Sequence, residues 1–179
     1  MTDALQQLSS TFLDLFEKWN RSINLSAAST RAELQSHVED SLHVVEHLRG
    51  AKRVLDVGSG GGFPVVVAAI ALPDVSFTSL EPVHKKHAFL RTAGRELGLA
   101  RFDPRSERWE DHAGRGYDAA TSRATMDLAT WLEIGARFVR PGGVVLGMEG
   151  REQIKLPSST DRRPYPAGDK TRAILIKRV

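Results

Sequence analysis

The sequence predicts an α/β fold: a Rossmann-like, mainly parallel sheet covered by helices, preceded by an N-terminal helical extension. Three observations carry this. From residue 50 onward, short β-branched runs alternate with helical patterns, the signature of parallel strands joined by crossover helices. The stretch Arg53-Val54-Leu55-Asp56-Val57-Gly58-Ser59-Gly60-Gly61-Gly62-Phe63-Pro64 joins one such run to four glycines and a helix start. Before residue 50, apolar side chains instead recur at steps of three and four. A chain of 179 residues with 41% apolar content suits one domain, 1–179, with 1–49 as the extension and 50–179 as an α/β core with a basic C-terminal segment.

In chain order, Leu5, Leu8, Phe12, Leu15, Phe16 and Trp19 mark an amphipathic helix ending near Asn20. A second helix opens at Thr30, with Glu33 completing a capping box, and buries Leu34, Val38, Leu42, Val45 and Leu48. His37, Asp40 and Ser41 share an adjacent face of that helix and read either as a hydrogen-bonded polar cluster or as part of a site. Strands are expected at 53–57, 75–80, 101–105, 117–122, 143–148 and 172–177, with helices near 63–72, 83–97 and 127–138. Pro64 suits a helix's first turn, where a missing N–H costs nothing. Gly98 and Pro141-Gly142-Gly143 are stop and turn signals. The segment 157–169, rich in Pro, Ser, Asp and Arg, reads as a mobile loop before the last strand.

Composition narrows the function classes. There is no cysteine, which excludes disulfides and thiolate metal sites, and the six histidines show no metal-ligand spacing. The N-terminus is polar and no run approaches the length of a membrane span, so a cytoplasmic protein without a membrane partner is expected. Net charge is +3, unevenly spread: residues 151–179 carry +5 and the first 150 carry −2. A basic end on a near-neutral domain is either a solvated face or a contact for a phosphate backbone.

The glycine-rich stretch brings backbone N–H groups against a ligand, which requires unusual dihedrals and no Cβ in the way. Asp-x-Gly-x-Gly-x-Gly is the pattern of S-adenosylmethionine-dependent methyltransferases, whereas dinucleotide enzymes place a third glycine where Phe63 stands. About twenty residues on, Glu81 ends the next strand, where a carboxylate accepts ribose hydroxyls. Gly58, Gly60 and Glu81 are therefore cofactor-binding candidates.

Several segments together resemble one family, the bacterial ribosomal RNA small subunit methyltransferase G, also called glucose-inhibited division protein B. They are Lys18-Trp19-Asn20-Arg21-Ser22-Ile23-Asn24-Leu25-Ser26, His37-Val38-Glu39-Asp40-Ser41, the Asp56 to Pro64 loop, Lys85-Lys86-His87-Ala88-Phe89-Leu90, Arg108-Trp109-Glu110 and Ser122-Arg123-Ala124. The resemblance implies a class I S-adenosylmethionine-dependent methyltransferase acting on guanine N7 of 16S (small-subunit) ribosomal RNA, within a ribosomal particle. It implies cofactor contacts at Gly58, Phe63, Trp109, Glu110 and Arg123. Trp109 reads as core or as a stacking platform for a purine, and Arg123 as a surface ion pair or a pocket residue. Guanine N7 carries no proton, so no general base is expected and no catalytic acid or base is nominated; alignment is the main contribution. His37, Lys85, Lys86, Arg162 and Arg163 are candidate RNA contacts, and Lys85, Lys86, Arg91 and Arg95 are phosphate clamps or a solvated helix face.

Three departures bear on the substrate. Ser36 stands where the family usually has Arg, Val65 replaces a usual glycine, and Glu149-Gly150 replaces Lys-Gly. Loss of two cations weakens phosphate attraction there, and the basic tail after Arg151 is expected to compensate in part. The alternatives are a methyltransferase for another RNA or a small molecule, and a cofactor-binding RNA module without transfer activity. A nicotinamide-dependent dehydrogenase is disfavoured by Asp56 and the absent third glycine.

Overall fold

The computed structural model describes residues 3–28, 30–123, 125–150, 153–168 and 170–179. Ala124 and Arg151, named above, lie outside the described residues, as does position 169. The element order is α1 (Asp3–Ile23), α2 (Arg31–Leu48), β1 (Arg53–Val57), α3 (Val65–Ala71), β2 (Ser76–Leu80), α4 (His84–Glu96), β3 (Phe102–Arg105), β4 (Tyr117–Ser122), α5 (Leu128–Ala136), β5 (Val139–Glu149), β6 (Thr160–Ala167) and β7 (Lys170–Arg178).

The helix starts follow from local chemistry. Thr30 Oγ1 accepts the Glu33 N–H at 3.2 Å while Glu33 Oε2 accepts the Thr30 N–H at 3.0 Å, the expected capping box, worth about 1 kcal/mol. α1 runs on past Asn20 to Ile23, and the Asn20 side chain secures the turn beyond it: its Oδ1 accepts the N–H groups of Leu25 (2.7 Å) and Ser26 (3.1 Å). Pro64 sits at the N-cap of α3 after a cis peptide bond. No helix among the described residues is long and apolar enough to cross a membrane.

The strands form one seven-stranded sheet in the order β3-β2-β1-β4-β5-β7-β6. β1, β2, β3, β4 and β5 pair in parallel, and β7 runs antiparallel to both β5 and β6. Two expectations are corrected here. The segment 157–169 is not a loop: 160–167 form β6, paired with β7 from Thr160↔Lys177 to Ala167↔Lys170. The Pro141-Gly142-Gly143 turn interrupts β5 rather than preceding it, as a bulge that shifts the register with β4 between Tyr117 and Ala119.

The core lies on both sheet faces. One cluster packs α1, α2, α3 and α4 against the sheet around Phe12, Phe16, Phe77 and Phe89, all at most 1% exposed. The other packs α5 on the opposite face around Trp131, Leu132 and Phe138. Strand order reverses between β1 and β4. In open α/β sheets ligands bind at such a switch point, outside the carboxyl ends of the strands.

Candidate active site

At that switch point the chain leaving β1 turns through the glycines. The N–H groups of Gly58 and Ser59 both donate to Leu80 O, at 2.9 and 3.1 Å, which ties the loop to the end of β2. Gly58 has φ +70°, and a Cβ there would lie 2.1 Å from Thr125 Oγ1; only glycine fits. Beneath the loop Asp56, 1% exposed, accepts from Thr121 Oγ1 at 2.5 Å and Ser59 Oγ at 2.6 Å, joining β1, β4 and the loop. Burial pushes its carboxyl up to about 7, against the lowering effect of those two hydrogen bonds.

Two adjoining cavities open here. The larger, about 350 Å³, is lined by Gly58, Gly60, Phe63, Glu81, Lys86 and Arg123, together with Leu25, Ser26 and Thr125. The smaller slot, about 170 Å³, is lined by Glu107, Arg108, Trp109 and Glu110, with Gly58, Pro82 and Thr125 common to both. All seven cofactor candidates thus border one or other of two adjoining cavities.

Each wall has a cause. Glu81, 4% exposed, accepts the Gly60 N–H on Oε2 and the Val83 N–H on Oε1, both at 2.8 Å, so its carboxylate is held in one orientation. Phe63, 5% exposed, is braced from behind by Phe12 (5.2 Å between centroids) and Phe16 (5.4 Å) of α1. The Arg123 guanidinium lies 5.4 Å from the Phe63 ring centroid and has no hydrogen-bonded partner among the described residues. Burial lowers its pKa from the ordinary arginine value. A half-buried cation that faces the recess with no carboxylate hydrogen-bonded to it fits a carboxylate-bearing ligand.

The candidate RNA residues do not come together. Lys85 is exposed on the first turn of α4 and Lys86 borders the larger cavity. His37 lies beside Phe63, 5.5 Å between ring centroids, with a buried, unpartnered Nδ1 and a pKa lowered by burial. It does not join its helix neighbours in a cluster. Ser41 donates to the His37 carbonyl at 2.6 Å, and Asp40, 3% exposed, is paired with Arg172 of β7. Arg162 and Arg163 lie on β6 at the far edge of the sheet. Arg162 is engaged internally: it holds both oxygens of Glu149, at 2.7 and 2.9 Å, and the Ile154 carbonyl at 2.7 Å. Glu149 is therefore not an exposed acid facing a phosphate, and Arg162 is not a free cation; Arg163 is exposed and leans on Asp161 at 3.4 Å.

Sequence reasoning missed Leu25, Ser26, Pro82, Glu107 and Thr125 as wall residues. Leu25 and Ser26 had a signal in Asn20, whose side chain fits a capping turn.

Residues 5–164 match the rRNA small subunit methyltransferase G family. The chain belongs to that family. A "Ribosomal RNA small subunit methyltransferase G" from Aromatoleum aromaticum is 39% identical over 168 residues, covering 88% of this chain and 80% of that protein. One from Neisseria gonorrhoeae is 40% identical over 140 residues, covering 78% and 68%. Solved structures share the family's fold at lower identity. A methyltransferase from Geobacter sulfurreducens superimposes with a TM-score of 0.71 at 15% identity, covering 94% of this chain and 89% of that one. The O-methyltransferase TomG from Streptomyces achromogenes, solved with S-adenosylmethionine, gives 0.64 at 18% identity, covering 98% and 89%. The family and the sheet order together make this a class I methyltransferase fold.

Proposed function

We propose that this chain, an S-adenosylmethionine-dependent methyltransferase of small-subunit ribosomal RNA by family, transfers the methyl group to guanine N7, working in the cytoplasm on RNA within a ribosomal particle. The observation that carries the reading is that Gly58 forms a shared wall of two cavities at the switch point, one bounded by Glu81 and Arg123, the other by Trp109 and Glu110. The residues present fit the cofactor. Glu81 takes the ribose hydroxyls on the lone pairs its two backbone bonds leave free. Arg123 takes the amino-acid carboxylate, and Phe63 gives an apolar wall. The slot beside Trp109 has room for a purine.

When bound, S-adenosylmethionine supplies an electrophilic methyl group on a sulfonium. The chain's own contribution is alignment, which accounts for about 7–11 kcal/mol of a barrier when two reactants are held in near-attack geometry. Guanine N7 attacks with a lone pair and releases no proton, so the transfer needs no general base. Positive charge moves to the acceptor base during transfer, and the carboxylates lining the two cavities, Glu81, Glu107 and Glu110, offset the cations Lys86, Arg108 and Arg123 there.

Lys85 and Arg91, exposed on α4, and Lys86 at the cavity rim have no ion-pair partner among the described residues. They are the cations best placed to hold phosphates near the methyl donor. Ser36, the other departure on α2, is exposed and bonds to its own helix through the Glu33 carbonyl at 2.8 Å.

The test is transfer of labelled methyl to small ribosomal subunits lacking the modification, mapped by cleavage at N7-methylguanine. Label at one guanine is expected. Retained cofactor binding with no label on ribosomal RNA would overturn the acceptor and favour a different RNA or a non-catalytic module.

A further inference from the structure

A trough of about 460 Å³ lies between α4 and the edge strand β3, and it shares no lining residue with the two cofactor cavities. Arg91, Gly94, Arg95, Leu99, Phe102 and Pro104 form most of its surface. Gly94 opens it: a Cβ there would already lie 3.1 Å from Phe102 Cδ1, so a larger residue would fill the space between helix and strand. Both ends are closed by hydrogen bonds. α4 stops at Gly98, φ +64°, where the Leu99 N–H donates back to Gly94 O at 2.9 Å. At the other end His87 Nε2 donates to the Pro104 carbonyl at 3.1 Å. Phe102 and Pro104 are half-buried, so the trough has an apolar, partly aromatic floor open to solvent.

The chemistry of the walls selects the occupant. An added β-strand is refused, because the Phe102 N–H is spent on Leu99 O at 3.2 Å, Pro104 has no N–H, and its carbonyl is taken by His87. The rim is cationic. Arg91 is exposed with no ion-pair partner among the described residues, and Arg101 is exposed just beyond the turn. Arg95 meets only its chain neighbour Glu96, at 2.9 Å, an exposed pair that an incoming anion displaces at little cost. The nearby acid Asp103 is held by Arg105 at 2.8 Å. Cations around an aromatic floor suit single-stranded nucleic acid, whose bases stack while its backbone is held by charge. The helix also links the trough to the reaction. Lys86 borders the larger cofactor cavity, and at a rise of about 1.5 Å per residue Arg95 is about 14 Å further along the axis.

We infer that the α4–β3 trough holds an unpaired nucleotide of the substrate RNA near the one that is methylated, its base against Phe102 and Pro104 and its phosphates on Arg91 and Arg95. This assignment rests on reading ribosomal RNA as the acceptor. Its two kinds of contact are separable, since phosphate contacts weaken with salt and stacking does not. Single-turnover transfer of labelled methyl should be measured against the concentration of small ribosomal subunits lacking the modification, over a salt series, for the wild type, Arg95→Ala, Phe102→Leu, Phe102→Tyr and Ala100→Glu. Ala100 is an exposed wall residue, so an acid there repels phosphate without disturbing the core. Calorimetry with S-adenosylhomocysteine reports whether each variant keeps its cofactor site.

Phe102→Leu should raise the half-saturating subunit concentration about tenfold with an unchanged salt slope, the effect of losing one stacked base, and Phe102→Tyr should stay near the wild type. Arg95→Ala should lower the slope of log affinity against log salt by about one, and Ala100→Glu should raise half-saturation without touching a core residue. The maximal rate and the S-adenosylhomocysteine affinity should hold in all four, whereas a merely structural Phe102 would move both. Wild-type half-saturation in Phe102→Leu and Ala100→Glu would overturn the inference alone. A changed slope in Arg95→Ala with no effect in Phe102→Leu would reduce the trough to a phosphate contact and overturn the placement of a base. Failure of the wild type to methylate the subunits would overturn the ribosomal acceptor and this inference with it.

Discussion

Glu149 and Arg162 form a two-point ion pair that joins the end of β5 to the edge strand β6, with Glu149 only 3% exposed. Burial raises the Glu149 pKa, but the Arg162 hydrogen bond and the Ile154 N–H outweigh it and leave the carboxyl below its ordinary value. An acid at this position thus organises the hairpin instead of repelling a phosphate.

Arg162→Ala strands a buried carboxylate, so the thermal midpoint should fall at neutral pH and recover in Glu149→Gln/Arg162→Ala, as differential scanning calorimetry would show. RNA affinity should change no more than in Glu149→Gln. A flattened salt dependence in Arg162→Ala alone would instead make Arg162 a phosphate ligand.

Lys85→Ala and Arg91→Ala should each weaken ribosomal RNA binding and reduce the slope of log affinity against log salt by about one, leaving S-adenosylhomocysteine affinity unchanged. Filter binding over a salt series checks this. Unchanged slopes would make that helix face merely solvated.

Phe16→Ala should cost about 3–5 kcal/mol of stability, because the ring is fully buried and its neighbours collapse only partly. Cofactor affinity should also fall, since Phe16 braces Phe63. Urea unfolding with and without S-adenosylhomocysteine separates the two effects.

The Asp56 carboxyl is raised in the folded protein to about 7, against 3.8 as its reference value. The folded state therefore holds more protons than the unfolded state between those values, and this group's contribution is fully present below about 4 and lost as pH rises through 7. Asp56→Asn, which keeps the shape, should flatten the decline in thermal midpoint between pH 5 and pH 8. An unaltered pH profile would place the titration elsewhere.

Gly58→Ala should abolish measurable cofactor binding through the clash with Thr125 Oγ1 and the strain of φ +70°. Adding Thr125→Ala removes the two nearest contacts, at 2.1 and 2.6 Å, and should restore part of it, while the Thr125 Cβ still lies 2.9 Å from the added methyl group. Equal loss in both variants would assign the defect to backbone strain and that remaining contact.

Local pattern made part of this molecule legible from its sequence. The runs at 53–57 and 117–122 are strands because β-branched and small residues fill a sheet covered on both faces; Gly58 and Glu81 came from spacing along one β-α-β unit, and Phe63 from the family resemblance. β6 was illegible because Pro164 and Pro166 break any strand pattern. They are tolerated because β6 is an edge, with one side of its ladder unpaired. The same limit hid the site's supports. Asp40 meets Arg172 across 132 positions, and Glu107 meets a histidine packed against Tyr117 of β4 and Phe138 in the turn before β5. Such partners are chosen by topology, which period and propensity do not encode.

The strand order also dictates a schedule for synthesis. β6 leaves the translating machinery before β7, yet its sheet neighbour is β7 alone, and β7 must slot between it and β5. Until β7 emerges, β5 presents an open ladder and β6 has nothing to pair with, a state exposed to mispairing with other nascent chains. The charged, proline-bearing character of β6 is then a safeguard for that interval: a strand that pairs poorly with strangers waits for the one partner its hairpin delivers.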